Sequence, residues 1–387
     1  MDQADFPTAL RGLLVADFSR VLAGPLATML LGDLGADVVK VERPGTGDDT
    51  RAWGPPYVEG ESAYYLAINR NKRSIVLDLK TASGRHAARR LAEKADVIVE
   101  NFKPGTMERL GLSYEELSKA NPGVVFCTVS GFGTKGAGAS LLGYDFIVQA
   151  VGGLMHITGP EPGEPTKVGV AVADVLTGLF ATNAILAALL ARSSTGKGQR
   201  VEVDLMSCLL AGLVNQASTY LTTGESPQAI GNRHPAIAPY EMFAAADRPL
   251  VVAVGNDGQF AALAGVLEMD WLSSDERFAT NPARVVHREE LSELIGQKLR
   301  LRPAAVWIER LEAARVPSGL VNDIGEAFAL AERLGLDAVV RVGGVVGRGS
   351  LAQVADPMRL HSSPVSYRRQ PPRLGEHTDE VLRQLGL

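Results

Sequence analysis

Across roughly the first half of the chain, short runs of β-branched residues alternate with stretches whose apolar positions recur at helical spacing. Residues 13–18 read as a first strand. Gly24-Pro25 then opens a helix with Leu26, Met29 and Leu30 on one face, because proline at the first helical position already holds the required φ. Gly35 ends that helix, and 38–41 returns as a strand. The alternation continues through strands at 74–79, 96–100 and 124–129, with a helix over 85–95, and then through 168–173 and 201–205 with a long apolar helix between them. This pattern predicts a doubly wound parallel sheet of the Rossmann-like α/β class.

After Leu205 the pattern changes. A helix through Tyr220 runs into the turn-rich Gly224-Glu225-Ser226-Pro227. A hairpin at 240–245 and 250–254, with helices near 259–267, 288–299 and 304–314, then predicts a smaller α+β domain. The expected organisation is a large domain over 1–205, a linker over 206–228, a small domain over 229–322, and a linker with a return to the large domain over 323–387. The tail carries β-like runs beyond Gly335, the proline-rich Pro371-Pro372 and a terminal helix over 376–385.

Composition narrows the classes of function. The balance of 39 Lys+Arg against 44 Asp+Glu gives a net charge of −5, so no broadly basic face for nucleic acid or an anionic membrane is expected. Cys127 and Cys208 stand far apart without metal-like or disulfide spacing, which predicts a reduced, cytoplasmic setting. The first residues, Met1-Asp2-Gln3-Ala4-Asp5, show no secretory pattern. The apolar stretch 175–191 is interrupted by Thr177, Gly178, Thr182 and Asn183 and reads as a buried core helix rather than a membrane span. The histidines lack zinc-site spacing, so no metal is expected.

Asp174 closes the apolar run 168–173 and opens the long apolar helix. The start of a helix offers unpaired N–H groups and partial positive charge, which suits a nucleophilic carboxylate and an oxyanion beside it. An ordinary N-cap is the alternative the residues leave open, since aspartate is a favoured capping residue.

Polar residues recur at one structural station, just past the strand ends: Arg43 after 38–42, Lys80 after 77–79, and Asn101-Phe102-Lys103 after 97–100. A parallel sheet gathers its ligand contacts there, and Arg and Lys suit phosphate, which points to a polyphosphate ligand such as a nucleotide or coenzyme A. Gly131-Phe132-Gly133-Thr134-Lys135-Gly136 matches G-x-G-x-x-G after a strand. It is followed by loop-like residues and no acidic residue at the ribose-binding distance, so nicotinamide and flavin are not expected.

The run Ala16-Asp17-Phe18-Ser19-Arg20-Val21-Leu22-Ala23-Gly24-Pro25, the block 34–45, Asn71-Lys72-Arg73-Ser74-Ile75 with 77–80, the block 96–105, Thr195-Gly196-Lys197-Gly198-Gln199 and Leu374-Gly375-Glu376-His377-Thr378 resemble, in order, the class III coenzyme A transferases. The resemblance spans nearly the whole chain. It implies that Asp174 is a covalent nucleophile and that Arg20, Leu22, Ala23, Arg43, Leu77, Lys80, Asn101, Phe102, Lys103 and Arg109 line the coenzyme A and acyl site. Tyr144 and Asp145 would stand beside the reacting centre. It further implies an acyl-CoA and a free carboxylic acid as substrates, no permanently bound cofactor, and an interlocked homodimer.

Racemases of the same fold are an alternative, but they carry a histidine where this chain has Tyr144, and α-proton transfer then lacks half of its acid/base pair. A non-catalytic subunit of a heteromeric transferase is a second alternative, opposed by the intact Asp174 block. The glycine-rich lid of oxalate-specific members is replaced here by residues 231–237. The block through Pro239-Tyr240 and 255–260 is similar to transferases acting on succinyl-CoA and small dicarboxylic acids, with Arg233 or His234 as candidate contacts for a distal carboxylate.

Overall fold

The computed structural model describes residues 8–160, 163–343 and 349–387. Met1-Asp2-Gln3-Ala4-Asp5, read above for targeting signals, lies outside the described residues. The rest divides into two compact units, one from the described parts of Met1–Leu154, Val168–Glu225 and Asp337–Leu387, the other from those of Met155–Lys167 and Ser226–Leu336.

In the first unit the chain runs through β1 (Leu14–Asp17), α1 (Ala23–Asp33), β2 (Asp37–Glu42), β3 (Lys72–Val76), α2 (Ala82–Lys94), β4 (Val97–Glu100), β5 (Val125–Ser130), α3 (Asp145–Val151), α4 (Val172–Thr195), β6 (Arg200–Asp204), α5 (Leu205–Gly212) and α6 (Val214–Thr223). Among the described residues β1 to β6 form one parallel sheet in the order β3-β2-β1-β4-β5-β6. That is the doubly wound arrangement, and its topological switch lies between β1 and β4.

Both faces of the sheet are buried, which is why its strands read as almost continuous apolar runs. Val15, Val38, Val97, Val99, Val125 and Cys127 face α1, α4 and α5 on one side. Their neighbours Ala16, Val39, Ile98 and Phe126 face α2 and the terminal helix Thr378–Leu385 on the other. The period of two along each strand assigns every residue to its layer.

Two sequence expectations need correction here. The third strand is Lys72–Val76 rather than 74–79, because its ladder with β2 runs from Val38↔Lys72 to Glu42↔Val76 and the chain then leaves the sheet. No strand forms at 168–173: β6 pairs directly with β5, and the Gln149 side chain takes the Val168 N–H and the Val170 carbonyl that a ladder would use. Helix α4 begins at Val172 and is buried on one face only, through Ala173, Thr177, Gly178, Ala181, Thr182, Ile185 and Ala188. Leu179, Phe180 and Leu190 are exposed. By length and composition alone α4 is long and apolar enough to cross a membrane.

The second unit holds an antiparallel sheet of β7 (Tyr240–Ala244), β8 (Pro249–Ala253) and β9 (Ser318–Leu320), packed with α7 (Asp257–Val266), α8 (Arg288–Leu299) and α9 (Ala304–Ala313). Phe243, Leu250, Val252, Phe260, Leu263 and Trp307 build its core. Arg284 is fully buried there and is satisfied by the carbonyls of Ala238 and Phe278 and by Asp257.

Candidate active site

Sheets of this order bind ligands beyond the carboxyl ends of the strands at the switch point, so the loops after β1 and β4 are the first place to look. Asn101 joins them. Its Oδ1 accepts the Arg20 N–H at 2.9 Å, and its Nδ2 donates to the Arg20 carbonyl at 2.8 Å. The Arg20 guanidinium lies over the Phe102 ring, 5.2 Å from its centroid. Burial, and after it the nearby Arg43 guanidinium, lower the pKa of Arg20. Arg20, Arg43, Asn101 and Phe102 therefore share one locality, with two cations close enough to repel each other and to favour an anionic guest.

The loop carrying Arg20 is held from beneath. Val21 has φ 68, a left-handed conformation that a β-branched residue rarely adopts. Its N–H points at both Asp48 carboxylate oxygens, 3.3 and 3.4 Å away. Asp48 pairs with Lys40 at 2.8 Å with both side chains fully buried, and Lys40 Nζ also donates to the Ser19 carbonyl at 2.9 Å. Burial alone would raise the Asp48 pKa, but Lys40 and the Thr50 hydrogen bonds hold it at about 2. Beside this pair lies a second, Lys72 with Asp17 at 3.1 Å, also fully buried, in which Lys72 donates to the Pro25 carbonyl and Asn69. Such strain persists only where its surroundings over-determine it.

Asp174 occupies the first turn of α4 but does not cap it. The residue at the N-cap position is Ala171, which has no side-chain cap, and the capping oxygen comes from α3, where Asp145 Oδ1 accepts the Ala173 N–H at 2.8 Å. The Val172 N–H goes to the Val170 carbonyl, which leaves the Asp174 N–H as the first-turn amide without a partner among the described residues. The Asp174 carboxylate likewise receives no hydrogen bond or ion pair from the described residues. Burial, and then the Asp145 charge, raise its pKa to about 7. Tyr64 lies within the same field: burial first, then Asp174 and Asp145, push its phenol up to about 12, so it stays a neutral hydrogen-bond donor.

Helix α4 also meets the Arg20 loop. A Cβ on Gly178, one turn beyond Asp174, would sit 2.8 Å from the Ala23 carbonyl, so the missing side chain lets α4 press onto the first residue of α1.

The other expected residues divide by environment. Ala23 and Leu77 are packed into the two core layers, and Leu22 is half-buried beside them. Arg43 is half-exposed and held by Thr46 and Asp49. Lys80, Lys103 and Arg109 are exposed, with Arg109 donating to Thr106 Oγ1 at 2.9 Å. Tyr144 is exposed immediately ahead of α3. Phe102 and Lys103 also line a small pocket of about 80 Å³ with Glu100, Thr128, Ser130 and Arg200, and burial raises the Glu100 carboxyl to about 7. In the second unit Arg233 pairs with Glu241 and Glu289, and His234 Nδ1 accepts the Ala236 N–H. Arg233 is thus already balanced by two carboxylates of its own unit. Among the described residues no His, Cys, Asp and Glu cluster has the makings of a metal site.

Sequence reasoning missed Tyr64, Gln149 and the Lys40–Asp48 pair. A lysine set among valines in a strand buried on both faces was the available signal for Lys40, since an unpaired charge is almost never fully buried. Nothing in the local sequence marks Tyr64 or Gln149.

The profile of CoA-transferase family III matches residues 10–378, and the chain belongs to that family. It is an enzyme that moves coenzyme A between an acyl-CoA and a carboxylic acid. A succinate–glutarate CoA-transferase of Agrobacterium fabrum is 45% identical, the match covering 97% of this chain and 95% of the relative. A succinyl-CoA:glutarate CoA-transferase of Mus musculus is 41% identical over 97% of this chain and 86% of its own. Among solved structures, a CaiB/BaiF family protein from Brucella suis superposes with a TM-score of 0.88 at 42% identity, covering 98% of this chain and all of that one.

Proposed function

We propose that this enzyme transfers coenzyme A from succinyl-CoA to a small dicarboxylic acid such as glutarate, through covalent intermediates on Asp174. The observation that carries the reading is the environment of Asp174: a carboxylate at a helix entrance, without ion-pair or hydrogen-bond partners among the described residues, whose pKa is raised to about 7 by burial first and by the Asp145 charge second. The names of the similar transferases support the substrate class.

In the first step an Asp174 oxygen attacks the donor carbonyl carbon. A C–O bond forms, the C–S bond breaks and CoA leaves as thiolate. The thiolate then attacks Asp174 Cγ, releasing the donor acid as a carboxylate and leaving an aspartyl-CoA thioester. The acceptor carboxylate attacks the same carbon and expels the thiolate. The thiolate finally attacks the acceptor carbonyl carbon, forming the new acyl-CoA and restoring Asp174. Dividing the transfer into acyl exchanges lowers each barrier. The free Asp174 N–H is the donor available to the oxyanions, and Arg20, Arg43, Asn101 and Phe102 hold the coenzyme.

The purified enzyme should convert glutarate to glutaryl-CoA with succinyl-CoA as donor. Acetyl-CoA and aromatic donors should be at least about tenfold less efficient, which corresponds to about 1.4 kcal/mol of discrimination. New thioesters identified by mass spectrometry across a donor and acceptor panel test this, and a panel without any glutaryl-CoA or other dicarboxylic thioester sinks the substrate assignment.

The working unit in this reading is a homodimer. Leu179 and Phe180 on α4, Leu210 on α5, and Val214, Tyr220 and Leu221 on α6 are exposed within the first unit, as a surface covered by a second copy would be. Light scattering should return twice the 41.1 kDa chain mass, and a monomer would contradict it.

A further inference from the structure

Among the described residues Gln149 makes no hydrogen bond to Asp174, yet its hydrogen bonds bracket the segment that delivers it. Its side chain is fully buried. Nε2 donates to Asp145 Oδ2 at 2.7 Å and to the Val170 carbonyl at 3.3 Å, and Oε1 accepts the Val168 N–H at 2.9 Å. A buried amide whose donor and acceptor ends are both engaged has one orientation, because flipping it would set donor against donor at Val168 and acceptor against acceptor at Asp145. Asp145 is thereby fixed, and its other oxygen takes the Ala173 N–H. The chain Val168, Gln149, Asp145, Ala173 closes around the irregular entry to α4, and Asp174 is the next residue.

We infer that Gln149 is a positioning residue for the transfer reaction: it locks the entry of α4 and holds Asp145 toward Asp174, so that the nucleophile's direction and its electrostatic surroundings are set together. The inference rests on the reading of Asp174 as nucleophile. Acylation removes the charge of Asp174, so a fixed anion beside it destabilises the free carboxylate relative to the covalent adduct. The groups whose fields couple to Asp174 are Asp145 on α3 and Tyr64 on the helix Ala63–Ala67, and Tyr64 also feels Asp48.

A swap of hydrogen-bonding partners tests this. In Gln149→Leu the lock is lost, and kcat should fall roughly 10²-fold, the order expected for a misplacement of about 1 Å, with KM for acyl-CoA within about twofold. Asp145→Asn sets two amide donors against each other, and Gln149→Glu sets two carboxylates against each other, so each alone should be impaired. The double variant Asp145→Asn/Gln149→Glu restores the donor–acceptor pair between the two side chains and keeps an acceptor for the Val168 N–H, giving up only the longer bond to the Val170 carbonyl, with the charge moved one helical turn away. It should regain kcat to within about tenfold of wild type, and its acid limb should lie at lower pH because the anion is farther from Asp174.

Wild-type kcat in Gln149→Leu beside an inactive Asp174→Ala would overturn the proposal. So would a double variant no better than the worse single one, including the case in which Gln149→Leu fails to fold by circular dichroism. Turnover in Asp174→Ala would instead overturn the nucleophile assignment, and the two failures are therefore distinguishable.

Discussion

Asp174→Asn is expected to abolish coenzyme A transfer, lowering kcat by roughly 10⁴-fold or more, the order seen when a covalent nucleophile is removed. Asparagine keeps the volume and the helix-end geometry but cannot form the anhydride. The fold should not suffer. With its pKa raised from 3.8 to about 7, Asp174 binds its proton more tightly folded than unfolded, so stability falls as pH rises from about 4 to about 7. Ionised Asp174 therefore weighs against the folded state at pH 8, and the favourable helix-end interaction of a carboxylate, about 0.3–1 kcal/mol, offsets only part of this. Thermal unfolding should show Asp174→Asn with a higher Tm than wild type at pH 8 and a nearly equal one at pH 4. Wild-type activity should correspondingly rise with pH through about 7, as the nucleophile ionises. A variant that loses stability at pH 8 would contradict the account of its surroundings.

The second large effect is expected from Lys40→Met. Lys40 and Asp48 are fully buried, and removing the cation strands the carboxylate, a change that typically costs about 3–5 kcal/mol. The loss should appear as a lower urea midpoint with little change in slope. Because Lys40 also holds the Ser19 carbonyl and, through Asp48, the strained Val21, the folded fraction should show a raised KM for acyl-CoA with kcat less affected. Replacing both partners, as in Lys40→Met/Asp48→Leu, should recover part of the stability but not the KM. With a folded pKa of about 2 against 3.8, the stability Asp48 contributes is present above about pH 4 and lost as pH falls through about 2. Wild type should therefore lose its advantage over the single variant in acid. An unchanged KM in either variant would show that the buried pair does not govern the Arg20 loop.

The sheet was legible because its strands are buried on both faces and so appear as β-branched runs between helical periods, from residues 13–18 to 201–205. The segment 168–173 misled for the same reason. Six apolar residues in a row look like a strand, but they pair with no strand of the six-stranded sheet, and a buried glutamine took the hydrogen bonds instead. Strand membership depends on partners far along the chain, which local pattern does not encode. Asp174 was legible as a carboxylate at a helix entrance. That the cap of this helix comes from Asp145, 28 positions before the Ala173 amide it accepts from, was not, since helix capping is usually a matter of immediate neighbours. Arg43 and Asn101 stood out because the ends of parallel strands converge. Of the struts beneath them, Lys40 is marked in the sequence only as a charge within a buried strand, and its partner Asp48 is not marked at all, because a buried ion pair is defined by its partner and not by its own position.

The most direct measurement is to trap the intermediate. The enzyme is incubated with succinyl-CoA without acceptor, quenched with hydroxylamine, digested, and read by tandem mass spectrometry. Conversion of the Asp174 side chain to a hydroxamate, dependent on donor and absent from Asp174→Asn, is the expected result. Turnover with an unmodified Asp174 peptide, or the same modification on a different residue, would contradict the central claim.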